Sequence, residues 1–494
     1  MLVSPYSYGF GHRTARMISA DRMAAVDANA AALGIPRKQL MESSGNAVAR
    51  AVREQIDPGS RVVLVCGRGN NGGDAFVAAR FLKEYTAETV LVGHPERIST
   101  EIARESWDAL QAAELSTTTL TDTSQLDDLD LETADCIVDA MLGTGVTGAL
   151  REPEATVARG INATDTPVVS VDVPSGVDAD TGDAEGVAVD ADHVVTFHDT
   201  KPGLDALDTP ITVADIGIPA AAERFVGPGD LLGRGRDPAS HKGDHGELLV
   251  VGGGPYTGAP ALAGQAALRA GADLVHIACP ESVAAQVQGY SENLIVHPLD
   301  GERLTLDAVV PILDLAAEMD AVICGPGLGS HDETLTAVES FLASFSGRAV
   351  VDADALAVVP GVETDATLLC TPHQGELVGM GGKTHDDWER RAELVADYAA
   401  EIGHTLLVKG AYDIATDGEE TRINRTGNPG MTVGGTGDVL AGVVGALVTT
   451  VEPRAAAAAG AYINGLAGDL AFDEAGDGLV ATDLIEWLPE AFTQ

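Results

Sequence analysis

The sequence predicts a two-domain α/β protein in which each domain is a parallel sheet covered by helices. Three observations lead there. Short β-branched runs alternate with amphipathic stretches twice over. A segment rich in glycine, proline and charge, RFVGPGDLLGRGRDPASHKGDHG (224–246), separates the two series. The chain's 494 residues also exceed what one hydrophobic core comfortably serves.

In the first series RVVLV (61–65), TVLVG (89–93), DCIVDAML (135–142), PVVSVDV (167–173) and HVVTF (193–197) read as strands, with helices at 73–85, 99–114 and 153–163. After a linker at 226–238 the alternation restarts with ELLVVGGG, DLVHIAC, DAVICG, RAVVDAD, TLLCT and HTLLVKG, and long alanine-rich helices close the chain. No 20–50-residue repeat is present, which argues against a solenoid.

Composition narrows the function classes. Apolar residues at 45%, 57 glycines and 4% aromatics suit a glycine-looped α/β enzyme. Thirty basic against 75 acidic residues give a net charge of −45, spread along the whole chain. A dispersed acidic surface argues against nucleic acid and anionic membrane as natural partners and suits a salt-adapted protein. Cys66, Cys136, Cys279, Cys324 and Cys370 lack CxxC spacing and read as small buried hydrophobes in a reducing compartment. No run reaches membrane-spanning length and the first residues lack a signal-peptide core, so a cytoplasmic protein is expected. Of six lysines, Lys201, Lys242 and Lys409 sit inside polar loop motifs, with an ordinary surface lysine as the alternative for each.

Three loops of the first domain follow strands. CGRGNNGGDAFVAAR (66–80) opens a helix, where glycine-freed N–H groups bind anions and Asp74 stands at the N-terminus; a plain capped turn is the alternative. DAMLGTGVTGAL (139–150) and DVPSGVDADTG (172–182) bring Asp139 and Asp172 to strand carboxyl ends, where parallel-sheet loops converge on one crevice.

Together with FHDTKPGL (197–204), these stretches resemble the YjeF-type N-terminal domain of the NAD(P)H-hydrate epimerase family, over about residues 17–220. The resemblance implies a Rossmann-like three-layer domain, placed at 17–225 behind an extension of residues 1–16. It further implies that Asn70, Asn71, Gly72, Gly73, Asp74, the loop Gly143, Thr144, Gly145, Val146, Thr147, Gly148 and Ala149, and Asp172 hold a hydrated nicotinamide nucleotide. A potassium ion (K+) held by Asn71, Asp139 and Ser175 comes with it, a hard oxygen set. A polar cap without an ion is the other reading. Asp172 is the candidate acid/base and Lys201 an electrostatic helper. MESSG (41–45) departs from the family's Met-Glu-Asn-Ala-Gly, and Ala75 replaces a common glycine, both expected to lie off the proposed ligands.

In the second domain GPGLG (325–329), DADAL (352–356), TPHQGE (371–376), VKGAYD (408–413) and NPGMTVGGTGDVL (428–440) each follow a strand or open a helix. With the HKGD start they resemble the ribokinase-like fold, in its YjeF C-terminal branch of ADP- or ATP-dependent NAD(P)H-hydrate dehydratases, over about residues 235–490. The resemblance implies a three-layer domain, placed at 239–494, with Lys409, Gly410, Ala411, Tyr412, Asp413 and Gly437 on an adenine nucleotide. Ala259, Gly327, His373 and Asp438 would face the hydrate, Asp438 taking a hydroxyl proton as base while N–H groups 435–438 hold the migrating phosphoryl charge. Asp438 simply near the helix dipole, and His373 as a structural strand-end residue, are the plain readings. Mg2+ bridging the phosphates is expected, with Glu376 the protein carboxylate offered to it.

The sequence therefore predicts a bifunctional repair enzyme. One domain interconverts R and S forms of NADHX and NADPHX, and the other dehydrates the S form with ADP as co-substrate, giving AMP and phosphate. A homo-oligomer binding only small molecules is expected. A ribokinase-like kinase for a small hydroxylated vitamin precursor is the alternative, and a non-catalytic first domain a third reading.

Overall fold

The computed structural model describes residues 17–145, 148–232 and 235–493, which form two compact units dividing after Ala220. The expected extension 1–16 and the site positions Val146 and Thr147 lie outside the described residues.

The first unit holds β1 (Arg61–Cys66), β2 (Thr86–Val92), β3 (Thr117–Leu120), β4 (Cys136–Ala140), β5 (Val168–Val171), β6 (His193–Phe197) and β7 (Ile211–Ala214). Their order is β3-β2-β1-β4-β5-β6-β7, and every neighbouring pair is parallel. Apolar residues run without alternation through the central strands because helices cover both faces. The edge strands β3 and β7, TTTL and ITVA, were not expected; half exposed, they carry no apolar run to read. Strand order reverses between β1 and β4, where a ligand crevice opens in such sheets. Only glycine fits there at position 67, since a Cβ would sit 1.7 Å from Met141 O.

The second unit holds β8 (Glu247–Val251), β9 (Leu274–Pro280), β10 (Ile295–Leu299), β11 (Ala321–Cys324), β12 (Arg348–Val351), β13 (Thr367–Cys370), β14 (Thr405–Val408), β15 (Asp413–Thr416) and β16 (Thr421–Asn424). The order is β10-β9-β8-β11-β12-β13-β14-β15-β16, parallel except for the β14–β15 and β15–β16 pairs, which are antiparallel. β10 escaped the sequence reading for the same reason as β3 and β7, whereas β15 and β16 are mostly buried but, as DIAT and TRIN, are too polar to show an apolar run. Helix Thr436–Val448 is buried at every residue from Val439 to Val448, as its all-round apolar sequence requires.

The expected linker 226–238 is corrected at its start. Val226 N–H donates to Ile423 O (2.9 Å), and Arg422 pairs with Asp230 (2.9 Å), so residues 221–232 pack on the edge strand β16 of the second unit. All five cysteines are buried thiols. No helix among the described residues is long and apolar enough to cross a membrane.

Candidate active sites

In the first unit a cavity of about 950 Å³ opens at the carboxyl ends of β1, β4 and β5. Asn70, Asn71, Asp74, Gly143, Thr144, Gly145 and Asp172 line it, so three separate motifs of the sequence meet in one crevice. The helix there runs Asn70–Phe81 and starts three residues earlier than expected, behind N-cap Gly69. Its leading N–H groups have no intrahelical acceptor, because intrahelical bonding begins only with Gly73 N–H to Gly69 O (3.1 Å), which is the arrangement an anion can meet. Asp74 is therefore not the N-terminal residue but lies one turn inside. Burial, with Asp172 and Asp27 adding to it, raises its carboxyl well above the usual range.

Gly72 and Gly73 do not line the cavity. They are buried, and Gly73 lets Met41 approach, since a Cβ there would lie 2.6 Å from its Cε. Gly148 borders a separate cavity of about 380 Å³, and Ala149 borders neither. Ser44, within MESSG, does line the main cavity, so that departure touches the site after all.

Asp172 follows β5 directly with φ +67°, a left-handed conformation that costs a non-glycine residue and is retained where a side chain must be aimed. Its Oδ1 lies 2.9 Å from Lys201 Nζ and accepts the Thr196 hydroxyl (3.1 Å). Lys201 is 1% exposed and also faces Thr196 Oγ1 (2.9 Å), Phe197 O (2.9 Å) and Asp199 O (3.3 Å). Its three N–H donors are thereby fully committed.

Asp139, in β4, and Ser175, after β5, are fully buried and do not themselves line the cavity. Ser175 Oγ donates to Asp139 Oδ1 (2.6 Å), while Asp139 Oδ2 accepts Ser175 N–H and Ser170 Oγ–H (both 2.9 Å). Burial raises the Asp139 carboxyl and these hydrogen bonds oppose the rise. Asn71 lines the cavity with a buried Nδ2 that has no hydrogen-bond partner among the described residues. By type, an amide, a carboxylate and a hydroxyl are the hard oxygen donors that a monovalent cation takes, and such an ion would neutralise the buried Asp139.

In the second unit Lys409 follows β14. Its Nζ pairs with Asp352 Oδ1 (2.9 Å), lies 3.8 Å from Glu376 Oε2, and would be 3.5 Å from a Cβ at Gly437. Burial acts to lower the Lys409 pKa, but Asp352, Glu376 and Asp438 outweigh it and raise it, so the ammonium persists. Helix Thr436–Val448 begins behind Gly435, and intrahelical bonding starts with Val439 N–H to Gly435 O (3.1 Å), leaving the N–H groups of 435–438 available. Asp438 stands in this first turn. Burial pushes its carboxyl up to about 6, with Asp352 adding to the rise and Lys409 opposing it.

His373 is the N-cap of helix Gln374–Gly379: its Nδ1 accepts Glu376 N–H (3.0 Å), while Glu376 Oε2 accepts His373 N–H (2.7 Å). The ring thus has a structural task that leaves Nε2 to carry the proton of the neutral form. Glu376, occupied by this cap and by Lys409, fits poorly as a Mg2+ ligand. Asp413 closes the loop after Lys409, accepting Gly410 N–H (2.9 Å) and the Asn424 amide (2.9 Å), and burial pushes it up to about 6. Tyr412 stacks on Trp388 at 4.9 Å. Gly327 (φ +73°) packs against the helix start at Ala259, where a Cβ would meet Tyr256 O at 2.3 Å.

Sequence reasoning gave no role to Asp352, although it quoted DADAL, and missed the anchors of the NPGM loop. Asn428 Nδ2 donates to Gly468 O (2.9 Å) and Asp469 Oδ1 (3.0 Å), which pins the approach to GGTGD. Of the loop lysines only Lys242 is simply exposed.

A family model described as NAD(P)H-hydrate dehydratase matches residues 248–490, and one described as YjeF-related protein N-terminus matches residues 37–203. The chain is 42% identical over 490 residues to a protein of Methanothermobacter thermautotrophicus, covering 94% of this chain and 93% of that one. It is 43% identical over 491 residues to one of Pyrobaculum aerophilum, covering 96% and 97%. Both relatives are named bifunctional NAD(P)H-hydrate repair enzyme Nnr. A solved ADP/ATP-dependent NAD(P)H-hydrate dehydratase from Bacillus subtilis, co-crystallized with ATP/Mg2+, aligns at 27% identity with a TM-score of 0.46, covering 52% of this chain and 93% of that one. With such identity across nearly the full length of both partners, and two sites built as above, the chain belongs to the family of bifunctional NAD(P)H-hydrate repair enzymes.

Proposed function

We propose that residues 17–225 interconvert the R and S epimers of NADHX and NADPHX, and that residues 239–494 dehydrate the S form with ADP, giving AMP and phosphate. The observation that carries the second step is Asp438 in the first turn of a helix with unbonded leading N–H groups, beside the Lys409 ammonium. Asp438 takes the proton of the C6 hydroxyl as its oxygen attacks the terminal phosphorus of ADP. The N–H groups of 435–438 and Lys409 hold the charge on the migrating phosphoryl group. Phosphate then leaves C6, a proton leaves C5, and the dihydropyridine is restored.

Lys409, the loop backbone of Gly410, Ala411 and Tyr412, and Gly437 bind the nucleotide, with Asp413 shaping that loop. Ala259, Gly327 and the Nε2 of His373 face the hydrate. Mg2+, held by phosphates and water, neutralises the nucleotide charge when bound. In the first unit Asn70, Asn71, Asp74, Gly143, Thr144, Gly145 and Asp172 contact the nucleotide, and Asn71, Asp139 and Ser175 hold K+. A homo-oligomer in a salt-rich archaeal cytoplasm completes the reading; the −45 charge supports its salt adaptation.

The test supplies chemically hydrated NADH as an epimer mixture, with ADP and Mg2+, and follows absorbance of the reduced nicotinamide. Complete recovery supports both activities, recovery of the S fraction alone supports only dehydration, and no recovery refutes the proposal.

A further inference from the structure

The first cavity presents a carboxylate that none of the quoted motifs contains. Asp27 lies on helix Ala20–Ala32, and Ala20, Met23, Ala24 and Asp27 recur at helical spacing along the stripe that lines the cavity. A stripe packed on a core would be apolar throughout, whereas this one places a half-buried carboxylate in the site. Burial and the charges of Arg37, Lys201 and Asp172 act on it, and among the described residues no hydrogen bond contributes. It is therefore available to a ligand.

Inverting C6 of the hydrate requires a hydroxyl to leave one face and return on the other. The ring nitrogen lone pair can expel the hydroxyl if a proton reaches it. The C6–O bond breaks, its electron pair leaves with oxygen as water, and nitrogen forms a C=N+ bond to C6. Water then adds to the opposite face, the C=N+ pair returns to nitrogen, and a base takes the extra proton. Nothing is oxidised or reduced, but one acid and one base are needed.

Lys201 is excluded as the acid because its donors are committed to Asp172, Thr196, Phe197 and Asp199. Asp74, 9% exposed, is raised well above the usual range by burial and sits one turn inside its helix, farther from solvent than Asp27. Asp172, ion-paired with Lys201, is the carboxylate poised to accept a proton.

We propose that Asp27 is the general acid that protonates the departing C6 hydroxyl, while Asp172 receives the proton of the water that adds to the other face. This rests on the epimerase reading of the first unit. Burial pushes Asp27 up to about 6; Arg37 and Lys201 limit the rise and Asp172 adds to it. Asp74, Asp21, Arg68, Arg97, Glu154, Asp178 and Asp180 also face the cavity, and Asp74 is raised by burial first, with Asp172 and then Asp27 adding to it.

The test uses the full chain without nucleotide, the R epimer of hydrated NADH as probe, and chromatographic separation of R and S in 18O-labelled water. The expected wild-type kcat/KM falls tenfold per pH unit above about 6, and each inversion brings one solvent oxygen into the product. Asp27→Asn lowers kcat by about 10²-fold or more with KM changed less than about threefold, and removes the descending limb. Asp27→Glu restores activity in part together with the limb, which a structural role would not produce. Wild-type kcat in Asp27→Asn, a limb that persists there, a limb that disappears in Asp74→Asn instead, or inversion without solvent oxygen overturns the proposal. Should Asp27→Asn melt non-cooperatively by circular dichroism, the Glu variant decides: a native melt without activity overturns the assignment. A wild-type chain that never interconverts the epimers refutes the epimerase reading itself, whereas interconversion matched by Asp27→Asn refutes only the role of Asp27.

Discussion

Asp352 Oδ1 lies 2.9 Å from Lys409 Nζ, and the same oxygen accepts the Thr371 hydroxyl at 2.7 Å. Asp352 is 3% exposed, and its N–H donates to Cys324 O (3.0 Å) at the end of β11. One buried carboxylate thus fixes, at the carboxyl ends of β12 and β14, the cation that a P-loop would carry within its own loop. Burial raises Asp438, and the charge of Asp352 adds to that rise. Asp352 therefore positions the lysine and tunes the base together.

Asp352→Asn keeps the size and can keep the Thr371 contact, but removes the charge. The expected result is an acid limb of dehydration displaced to lower pH and a KM for ADP raised about tenfold, because Lys409 is no longer held. Loss of one partner of a buried pair typically costs about 3–5 kcal/mol, so urea unfolding should shift as well. An unchanged limb and an unchanged KM would remove Asp352 from the site.

Asp438 supplies the second prediction. As a base it must be ionised, and its carboxyl stands at about 6 in the free protein. kcat/KM for dehydration of the S epimer therefore rises tenfold per pH unit below about 6 and levels off above it. Asp438→Asn is expected to lower kcat by about 10²–10⁴-fold with the KM for ADP little changed. Stopped-flow absorbance across the pH range checks this, and a flat profile in the wild type contradicts a base with that pKa.

The central strands, the domain count and the loop motifs were legible because fully buried parallel strands leave unbroken apolar runs, and strand-to-helix junctions need glycine. The edge strands β3, β7 and β10 were not, since half-exposed short runs carry little pattern. Asp27 was hidden in an alanine-rich helix whose pattern matched an ordinary amphipathic element. Asp352 was visible as a letter in DADAL, but its partner Lys409 is 57 residues away, a distance that only the β12-β13-β14 order closes. His373 shows another limit: its capping of a helix through Nδ1 is a structural task that the motif does not reveal, beside the hydrate contact proposed for Nε2.

The Asp172–Lys201 pair is tested from both sides. Asp172→Asn retains the side-chain shape and is expected to slow epimerisation by about 10²–10⁴-fold, and because it leaves the buried Lys201 ammonium without its carboxylate it should also cost about 3–5 kcal/mol of stability. Lys201→Met leaves Asp172 without its partner in a buried setting and is expected to cost both epimerisation and about 3–5 kcal/mol of stability. Supplied with the epimer mixture and ADP, either variant should restore only the S fraction of reduced nicotinamide. Full recovery by Asp172→Asn at wild-type rate would show that the carboxylate is not the proton acceptor.

The charge of −45 and the proposed K+ set make separable predictions about salt. Self-repulsion of a dispersed acidic surface weakens as the Debye length shrinks from about 10 Å at 0.1 M to about 3 Å at 1 M. The thermal midpoint should therefore climb over that range, by the same amount in KCl, NaCl and choline chloride. Epimerisation should behave differently, because Asn71, Asp139 and Ser175 offer oxygen ligands to a bound ion and not to a screening atmosphere. At equal ionic strength it should be faster in KCl than in choline chloride, while dehydration of the pure S epimer shows no such preference. Asp139→Asn should abolish the KCl preference and leave the rise of the midpoint with salt in place. If the midpoint does not move with salt, the surface charge is not what limits stability. If epimerisation is equally fast in all three salts, Asp139 and Ser175 are a hydrogen-bonded pair and nothing more.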